Sequence, residues 1–338
     1  MSGAYVSSRR LVFPGPQEVT WEELQVAPPQ HGELAVESRR SLISIGTELA
    51  FFSGRQWTNP GRGVLPQYPA YPGYSNAGIV VAAGEGTAPW QEGDRIASSA
   101  RHATVQNVRN LDGAVAIPQA VSDEEATFCT LGATVLNAYR RGAPQLGECA
   151  VVVGQGILGQ LAVQYLRLGG CDPVVAVDLD AKRLALTERV GAATYLLNPS
   201  EDDVVAAVHD LTAGRGADIV FEATGLTETY DLTFALTRPY GRVVGLGSPR
   251  YPATVDMQQV HIKPLQIIGA IGNHPSGESK ENRWTRGAHM AFFMDLLAQN
   301  RVNVRDLITH RVPADEAPNI YLKLLADRTA YLGVILEW

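Results

Sequence analysis

The sequence predicts an α/β protein built around a doubly wound parallel sheet, joined to a β-rich region at its N-terminal end. Three observations carry this expectation. Short, wholly apolar, β-branched runs alternate with helical patterns from about residue 126 to residue 271. A Gly-x-Gly-x-x-Gly at Gly154, Gly156 and Gly159 stands where one such run gives way to a helix. The stretch before this region shows only brief apolar runs broken by Gly and Pro.

Taken in order, Leu34-Ala-Val-Glu-Ser, Gly78-Ile-Val-Val-Ala, Asp94-Arg-Ile-Ala-Ser and Ala103-Thr-Val-Gln read as strands, with Gly93-Asp94 as a turn. Gly54 to Tyr74 is crowded with Pro, Gly and aromatic residues. It reads as a long ordered loop, either functional or simply wrapped around the strands. Ser122 followed by Asp123, Glu124 and Glu125 supplies a helix cap and an acidic first turn. Glu148-Cys-Ala-Val-Val-Val-Gly is a buried parallel strand, followed by a helix from Ile157 to Leu168. Pro173-Val-Val-Ala-Val-Asp is the next strand, and Ala181 to Val190 the next helix, stopped by Gly191. Asp218-Ile-Val-Phe-Glu-Ala-Thr-Gly and Gly241-Arg-Val-Val-Gly-Leu-Gly are two further strands, with a helix near Thr227 to Leu236 between them. Beyond about residue 272 come a polar loop (Asn273 to Arg286), a helix (Gly287 to Gln299), a strand from Leu307 to Val312, a helix near Glu316 to Ala326, and a last strand from Gly333 to Trp338.

Composition narrows the function. The chain has 338 residues, enough for two domains of about 150 residues each. Its 45% hydrophobic and 19% charged content excludes a disordered chain. A net charge of −7 gives no attraction to phosphate backbones, so nucleic acid is not an expected partner. Cys129, Cys149 and Cys171 form no Cys-x-x-Cys pair and no disulfide framework, which points to a reducing, cytoplasmic setting. Met1 to Pro14 shows no signal-peptide pattern. No run approaches the roughly 20 apolar residues of a membrane helix, so no membrane is expected.

The glycine motif carries chemistry. Its first glycine permits the tight turn, its second lets the backbone approach a pyrophosphate, and its third lets helix and strand pack closely. Gly154, Gly156, Ile157, Leu158 and Gly159 would then present free N–H groups and the positive helix end to phosphates. A second strand ends at Asp178, about 20 residues further on, where an acid accepts hydrogen bonds from ribose hydroxyls and repels a 2′-phosphate. This favours NAD over NADP, although the neighbouring Arg183 can also meet a phosphate.

Nearly the whole chain resembles the medium-chain dehydrogenase/reductase superfamily, the alcohol-dehydrogenase-like enzymes. The resemblance is carried by Ser41-Leu-Ile-Ser-Ile-Gly-Thr-Glu-Leu, Pro72-Gly-Tyr-Ser-Asn-Ala-Gly, Glu92-Gly-Asp-Arg-Ile, Leu131-Gly-Ala-Thr-Val-Leu-Asn-Ala, the glycine motif, Phe221-Glu-Ala-Thr-Gly and Gly241-Arg-Val-Val-Gly-Leu-Gly. It implies a GroES-like β-barrel catalytic domain over 1–130 and 272–338, with a Rossmann domain over 131–271 inserted between its halves and an active site in the cleft. It also implies that Ala223, Thr224, Gly225, Leu246, Gly247, Ser248, Ala270 and Ile271 line the nicotinamide side. Small residues at such strand ends equally suit tight turns. Dimers or higher homo-oligomers formed through the sheet edge near Ile268 are common in this superfamily.

Departures from the family pattern bear on mechanism. Where the resemblance implies a zinc-binding Cys, Gly-His-Glu and second Cys, this chain has Ser44, Gly73-Tyr74-Ser75 and Thr130, all poor zinc ligands. The four-cysteine lobe that holds a structural zinc in the family is absent. The expectation is an enzyme with no metal, similar to a metal-poor branch that includes bacteriochlorophyllide dehydrogenases. Four residues are candidates for polarising the C–O bond and moving a proton. Tyr74 stands at the lost His position, as a donor or as a packed aromatic. Thr47 matches the proton-relay Ser/Thr, and Glu48 the acidic position after it; a turn hydroxyl and a loop-anchoring ion pair are the plainer readings. His102 falls where the family has a strand facing the cleft, and a lone His is also commonly structural. His261, His274 and Arg55 rank lower. The reading is an NAD-dependent, zinc-independent oxidoreductase acting on a small molecule and interconverting a secondary alcohol and a ketone. A quinone or enoyl reductase and a non-catalytic nucleotide-binding protein are the alternatives.

Overall fold

The computed structural model describes residues 5–54, 67–109, 111–249, 251–270 and 284–338. The N-terminal part opens with an antiparallel pair, β1 (Val6–Val12) and β2 (Thr20–Val26). It continues through β3 (Leu34–Ile43), α1 (Ile45–Phe52), β4 (Asn76–Ala83), β5 (Arg95–Ser98), β6 (Val105–Val108) and β7 (Ala114–Ala116). Then α2 (Asp123–Ala126) and α3 (Cys129–Gly142) lead into the second sheet. Its elements are β8 (Ala150–Val153), α4 (Ile157–Leu168), β9 (Val174–Val177), α5 (Ala181–Arg189), β10 (Tyr195–Leu197), α6 (Val204–Leu211), β11 (Ala217–Glu222), α7 (Thr229–Leu236), β12 (Thr237–Gly245), α8 (Met257–Ile262) and β13 (Gln266–Gly269). The chain ends with α9 (Arg286–Ala298), β14 (Ile308–Pro313), α10 (Ala317–Ala326) and β15 (Gly333–Glu337).

The second sheet is parallel throughout, in the order β10-β9-β8-β11-β12-β13. Its strands are apolar on both faces because helices cover both faces. Val152, Ala176, Phe221 and Val244 pack with Leu136 of α3 and Leu161 of α4. The alternating neighbours Val151, Val153, Val175, Val177 and Val220 pack on the opposite side with Val204 and Val208 of α6. The strand order reverses between β8 and β11, and ligands of such sheets bind in the crevice beyond the strand ends there.

The first sheet draws on both ends of the chain. Its order is β14-β15-β3-β4-β5-β7, with β6 also paired to β3. The antiparallel register sets Val334 against Ile43 and Leu336 against Ser41. This C-terminal strand therefore backs the end of β3, from which α1 departs. A helix of eight residues is marginal by itself. Here Phe52 of α1 packs at 5.1 Å from Phe13 and 5.6 Å from Tyr321 of α10, in a buried cluster with Ile43 and Leu324. Burying each such side chain contributes about 1.5–3 kcal/mol, so tertiary packing holds the helix. The Ser122 cap expected from sequence is a full capping box: Ser122 Oγ accepts from Glu125 N–H and Glu125 accepts from Ser122 N–H.

Candidate active site

The turn between β8 and α4 forms a cradle. Gly154 has φ +97°, and a Cβ at Gly159 would lie 1.8 Å from the Gly154 carbonyl oxygen, so no side chain fits there. A Cβ at Gly156, the N-cap of α4, would meet nothing within 4 Å, so open space lies over the first helical turn at Ile157 and Leu158. Asp178, at the end of β9, accepts from Gln155 N–H at 2.6 Å and from Asp180 N–H at 2.8 Å. Those bonds aim its carboxylate at the glycine turn and leave further lone pairs for ribose hydroxyls. Arg183 approaches Asp178 to 3.9 Å and Asp180 to 3.7 Å. The cradle fits a dinucleotide.

The loops assigned to the nicotinamide side are organised by Glu222, the acid of the Phe221-Glu-Ala-Thr-Gly motif. It is fully buried at the end of β11. Its carboxylate accepts from Thr224 N–H at 2.8 Å, Gly225 N–H at 3.1 Å and Thr229 Oγ1 at 3.0 Å, and from the Thr224 hydroxyl. Its backbone carbonyl accepts from Leu246 and Gly247 N–H at 2.8 and 2.7 Å. One residue, through its side chain and its carbonyl, thus draws Ala223–Gly225 toward Leu246 and Gly247. Ala270 N–H donates to the Gly245 carbonyl and carries the third strand end alongside. Ile271, with His274 and Arg55, lies outside the described residues.

Tyr74, Ser44 and Thr47 form a cluster of hydroxyls. Tyr74 Oη donates to Ser44 Oγ and lies 3.4 Å from Thr47 Oγ1. Tyr74 and Thr47 are half-buried, and both border a cavity of about 150 Å³. Next to them Ser75 and Thr130, both buried, are hydrogen-bonded to each other. Gly73 makes this geometry possible: φ is +95°, and a Cβ would sit 2.5 Å from His102 N and 2.8 Å from its ring.

Glu48 and His102 lie behind the cluster. Glu48 accepts from Ser44 N–H at 2.8 Å, from Tyr321 Oη, and pairs with His102 Nε2 at 3.1 Å. His102 Nδ1 is 2.8 Å from Ser41 Oγ, which also accepts from Trp338 Nε1 at 2.8 Å. Burial alone would raise the Glu48 carboxyl, but the His102 charge and the bonds from His102, Tyr321 and Ser44 outweigh it and hold the group below the usual carboxylate range. The His102 ring is 0% exposed with both nitrogens engaged, so any influence on a substrate passes through Glu48 and α1. His261 is exposed on α8, away from this cluster's hydrogen bonds. Arg286, in the first turn of α9, is a further cation here: burial lowers its pKa, while the electrostatic fields of Cys129 and Tyr74 raise it.

The zinc implied by the family resemblance does not fit these donors. Ser44, Tyr74 and Thr130 are neutral hydroxyls bonded to protein partners. Cys129 is buried, its Sγ donating to the Met290 carbonyl at 3.5 Å, and burial pushes its thiol far above the normal range, away from the thiolate that binds metals. Among the described residues no three His, Cys, Asp or Glu side chains gather as a metal site.

The glycine cradle of the parallel sheet and the polar cluster beside the first sheet, taken with the relatives below, support an oxidoreductase of the dehydrogenase type. Residues 158–286 match the family model described as zinc-binding dehydrogenase. The L-threonine 3-dehydrogenase of Pyrococcus horikoshii is 26% identical over 93% of this chain and 94% of its own length. The (R,R)-butanediol dehydrogenase of Neisseria gonorrhoeae is 29% identical over 53% of this chain, a match spanning about half (47%) of that relative. Among solved structures, a zinc-binding-dehydrogenase-like protein of Sinorhizobium meliloti 1021 bound to NADP superposes with a TM-score of 0.83 at 22% identity, covering 98% and 100% of the two chains. An alcohol dehydrogenase of E. coli CFT073 complexed with NADH gives 0.83 at 19% identity over 99% and 100%. These two are likenesses of fold. Together these matches support kinship with the medium-chain dehydrogenase/reductase superfamily.

Proposed function

We propose that the protein is an NAD-dependent, zinc-independent oxidoreductase that interconverts a secondary alcohol and a ketone. The observation that carries the reading is the hydroxyl cluster of Tyr74, Ser44 and Thr47 at the positions where the resembling enzymes hold a metal. Bound nicotinamide supplies or accepts the hydride. Tyr74 exchanges its bond to Ser44 for one to the substrate oxygen, donating its proton to the alkoxide formed on ketone reduction; in the reverse direction the phenolate, its proton first released to solvent through Thr47, takes up the proton of the alcohol. Ser44 is held in place by the Glu48 carboxylate. Asp178 at the end of β9 supports NAD over NADP, while Arg183 and the NADP-bound structural neighbour are the counterweight. The same reading takes the protein as a cytoplasmic homodimer or higher homo-oligomer that acts on a small molecule, without nucleic acid or membrane. No helix of the described residues is long and apolar enough to cross a membrane.

Metal analysis and chelation test the mechanism. The expected result is substoichiometric zinc and activity that survives extensive chelation. One tightly bound zinc per chain, lost together with activity, overturns it. Assay of secondary alcohols, ketones, enones and quinones with NADH and NADPH separates this reading from a quinone or enoyl reductase. Cofactor binding without any turnover would leave only a nucleotide-binding protein.

A further inference from the structure

The cavity beside Tyr74 holds a cation that the reaction described above does not use. One wall is apolar, formed by Phe13, Phe51 and Ala70, while Thr47, Tyr74 and Arg101 contribute its polar groups. Its volume of about 150 Å³ matches a cavity that accepts a benzene-sized group. Arg101 is held firmly. Its Nη1 donates to the carbonyls of Tyr71 at 2.8 Å and Gly73 at 3.2 Å. Its backbone N–H donates to Gln106 Oε1, and Gln106 Nε2 donates back to its carbonyl, both at 2.8 Å. The neighbouring His102 N–H donates to the Pro72 carbonyl at 3.1 Å, fastening the two segments that border the cavity.

These bonds occupy one corner of the guanidinium. Among the described residues the Nε–Nη2 edge carries no hydrogen bond and no carboxylate pairs with the side chain. That edge grips a carboxylate side-on through two parallel bonds. Glu48 also borders the cavity, but its oxygens are already committed to Ser44, His102 and Tyr321.

We propose that this cavity receives a carboxylate carried by the substrate, with Arg101 as the specificity-determining residue. The substrate class is then a short hydroxy acid or keto acid: its carbinol or carbonyl oxygen lies at Tyr74 and Thr47, and its carboxylate at Arg101. This rests on the alcohol–ketone reading of the same site.

The test uses the full chain with saturating NAD. Oxidation of 3-hydroxybutyrate is compared with that of 2-pentanol, its uncharged counterpart, and the unreactive probe butyrate is titrated by calorimetry. The hydroxy acid is expected to be preferred. R101Q should raise its KM about 10- to 100-fold, the loss of a charge-assisted bidentate contact, with a far smaller change in kcat and a parallel weakening of butyrate. R101K should recover part of the loss. Equal impairment of both alcohols in R101Q would make Arg101 a loop brace and overturn the proposal, as would absent or Arg101-independent butyrate binding. Arg101-dependent butyrate binding without turnover of either alcohol retains the subsite and removes the dehydrogenase reading. Turnover of 2-pentanol with Arg101-independent butyrate binding does the reverse.

Discussion

His102 Nε2 lies 3.1 Å from Oε2 of Glu48, with both side chains buried. The contact ties the loop after β5 to α1, and Tyr321 adds a tie from α10 to the same carboxylate. A single buried acid thereby fixes the helix that presents Thr47 to the cavity. Removing one partner of a buried pair leaves the other charge or donor uncompensated.

Glu48→Ala should therefore destabilise the protein by about 3–5 kcal/mol, the usual cost of breaking a buried pair. Chemical denaturation at pH 7 measures it. The pH dependence has a definite sign. The folded carboxyl titrates below its ordinary value of 4.5, so its contribution is present above that value and is lost as pH falls through the lower, folded one. Glu48→Gln should flatten the acid limb of a Tm-against-pH curve below pH 4.5. An acid limb unchanged by the substitution would show that Glu48 does not carry this linkage.

Tyr74→Phe tests the proton donor. It removes the hydroxyl that bonds Ser44 while keeping the ring against the core. Loss of a general acid should lower kcat for ketone reduction by about 10²- to 10⁴-fold, with the melting temperature little changed. Thr47→Val should give a smaller loss. Wild-type kcat in Tyr74→Phe would exclude the phenol as donor.

What the sequence revealed divides along the range of the contacts. The sheet was legible because each buried strand is a run of β-branched residues flanked by turn residues, and because the glycine motif has fixed local geometry. Thr47, Glu48, Tyr74 and His102 were reached through resemblance, and the structure brings all four into one neighbourhood. Helix α1 has no local sequence signal: Ile45, Gly46 and Thr47 are weak helix formers, and Phe13 and Tyr321 supply its packing from distant positions. Tyr321 itself is 273 positions from Glu48, and nothing local marks it. Glu222 reads as one more strand residue until its loop donors are placed around it. Arg286 begins a helix that comes beside Tyr74 only after the chain has passed through the parallel sheet.

His289 gives a second pH-dependent prediction. It is buried on α9 and stacked on Trp284 at 5.6 Å, and its Nε2 has no hydrogen-bond partner among the described residues. Burial, reinforced by the Arg140 charge, lowers its pKa to about 4 from an ordinary 6.5. Between those values the unfolded chain binds a proton that the folded chain refuses, so stability should fall as pH drops from 6.5 toward 4. His289→Phe should remove part of that fall, an effect of a few degrees in Tm between pH 7 and pH 4.5. Parallel wild-type and variant curves would show that His289 does not titrate on unfolding.

Asp178 and Arg183 set up the cofactor test. Their carboxylate and guanidinium sit 3.9 Å apart at the end of β9. Asp178→Ala removes the ribose acceptor and the repulsion toward a 2′-phosphate, leaving Arg183 to meet it. The variant should lose about tenfold or more in NADH affinity and gain in NADPH affinity, the scale of one charged hydrogen bond. Fluorescence titration of both cofactors measures the switch. Wild-type preference for NADPH would reverse the assignment.

The open edge of the parallel sheet tests assembly. Strand β13 is hydrogen-bonded to β12 on one side, and among the described residues no strand pairs its other side. Ile267 on that strand is 47% exposed, and Met257 and Ile262 of the preceding helix are 60% and 67% exposed. An unpaired edge with apolar side chains offers backbone donors and acceptors to a second strand and gains from being covered. Pairing two copies edge to edge about a twofold axis would satisfy both at once. Sedimentation should therefore find the wild-type protein as a dimer or larger, and Ile267→Lys, which sets two like charges face to face, should raise the dimer dissociation constant about tenfold or more. A wild-type monomer at micromolar concentration would refute edge pairing, and an unaltered dimer in Ile267→Lys would move the interface elsewhere.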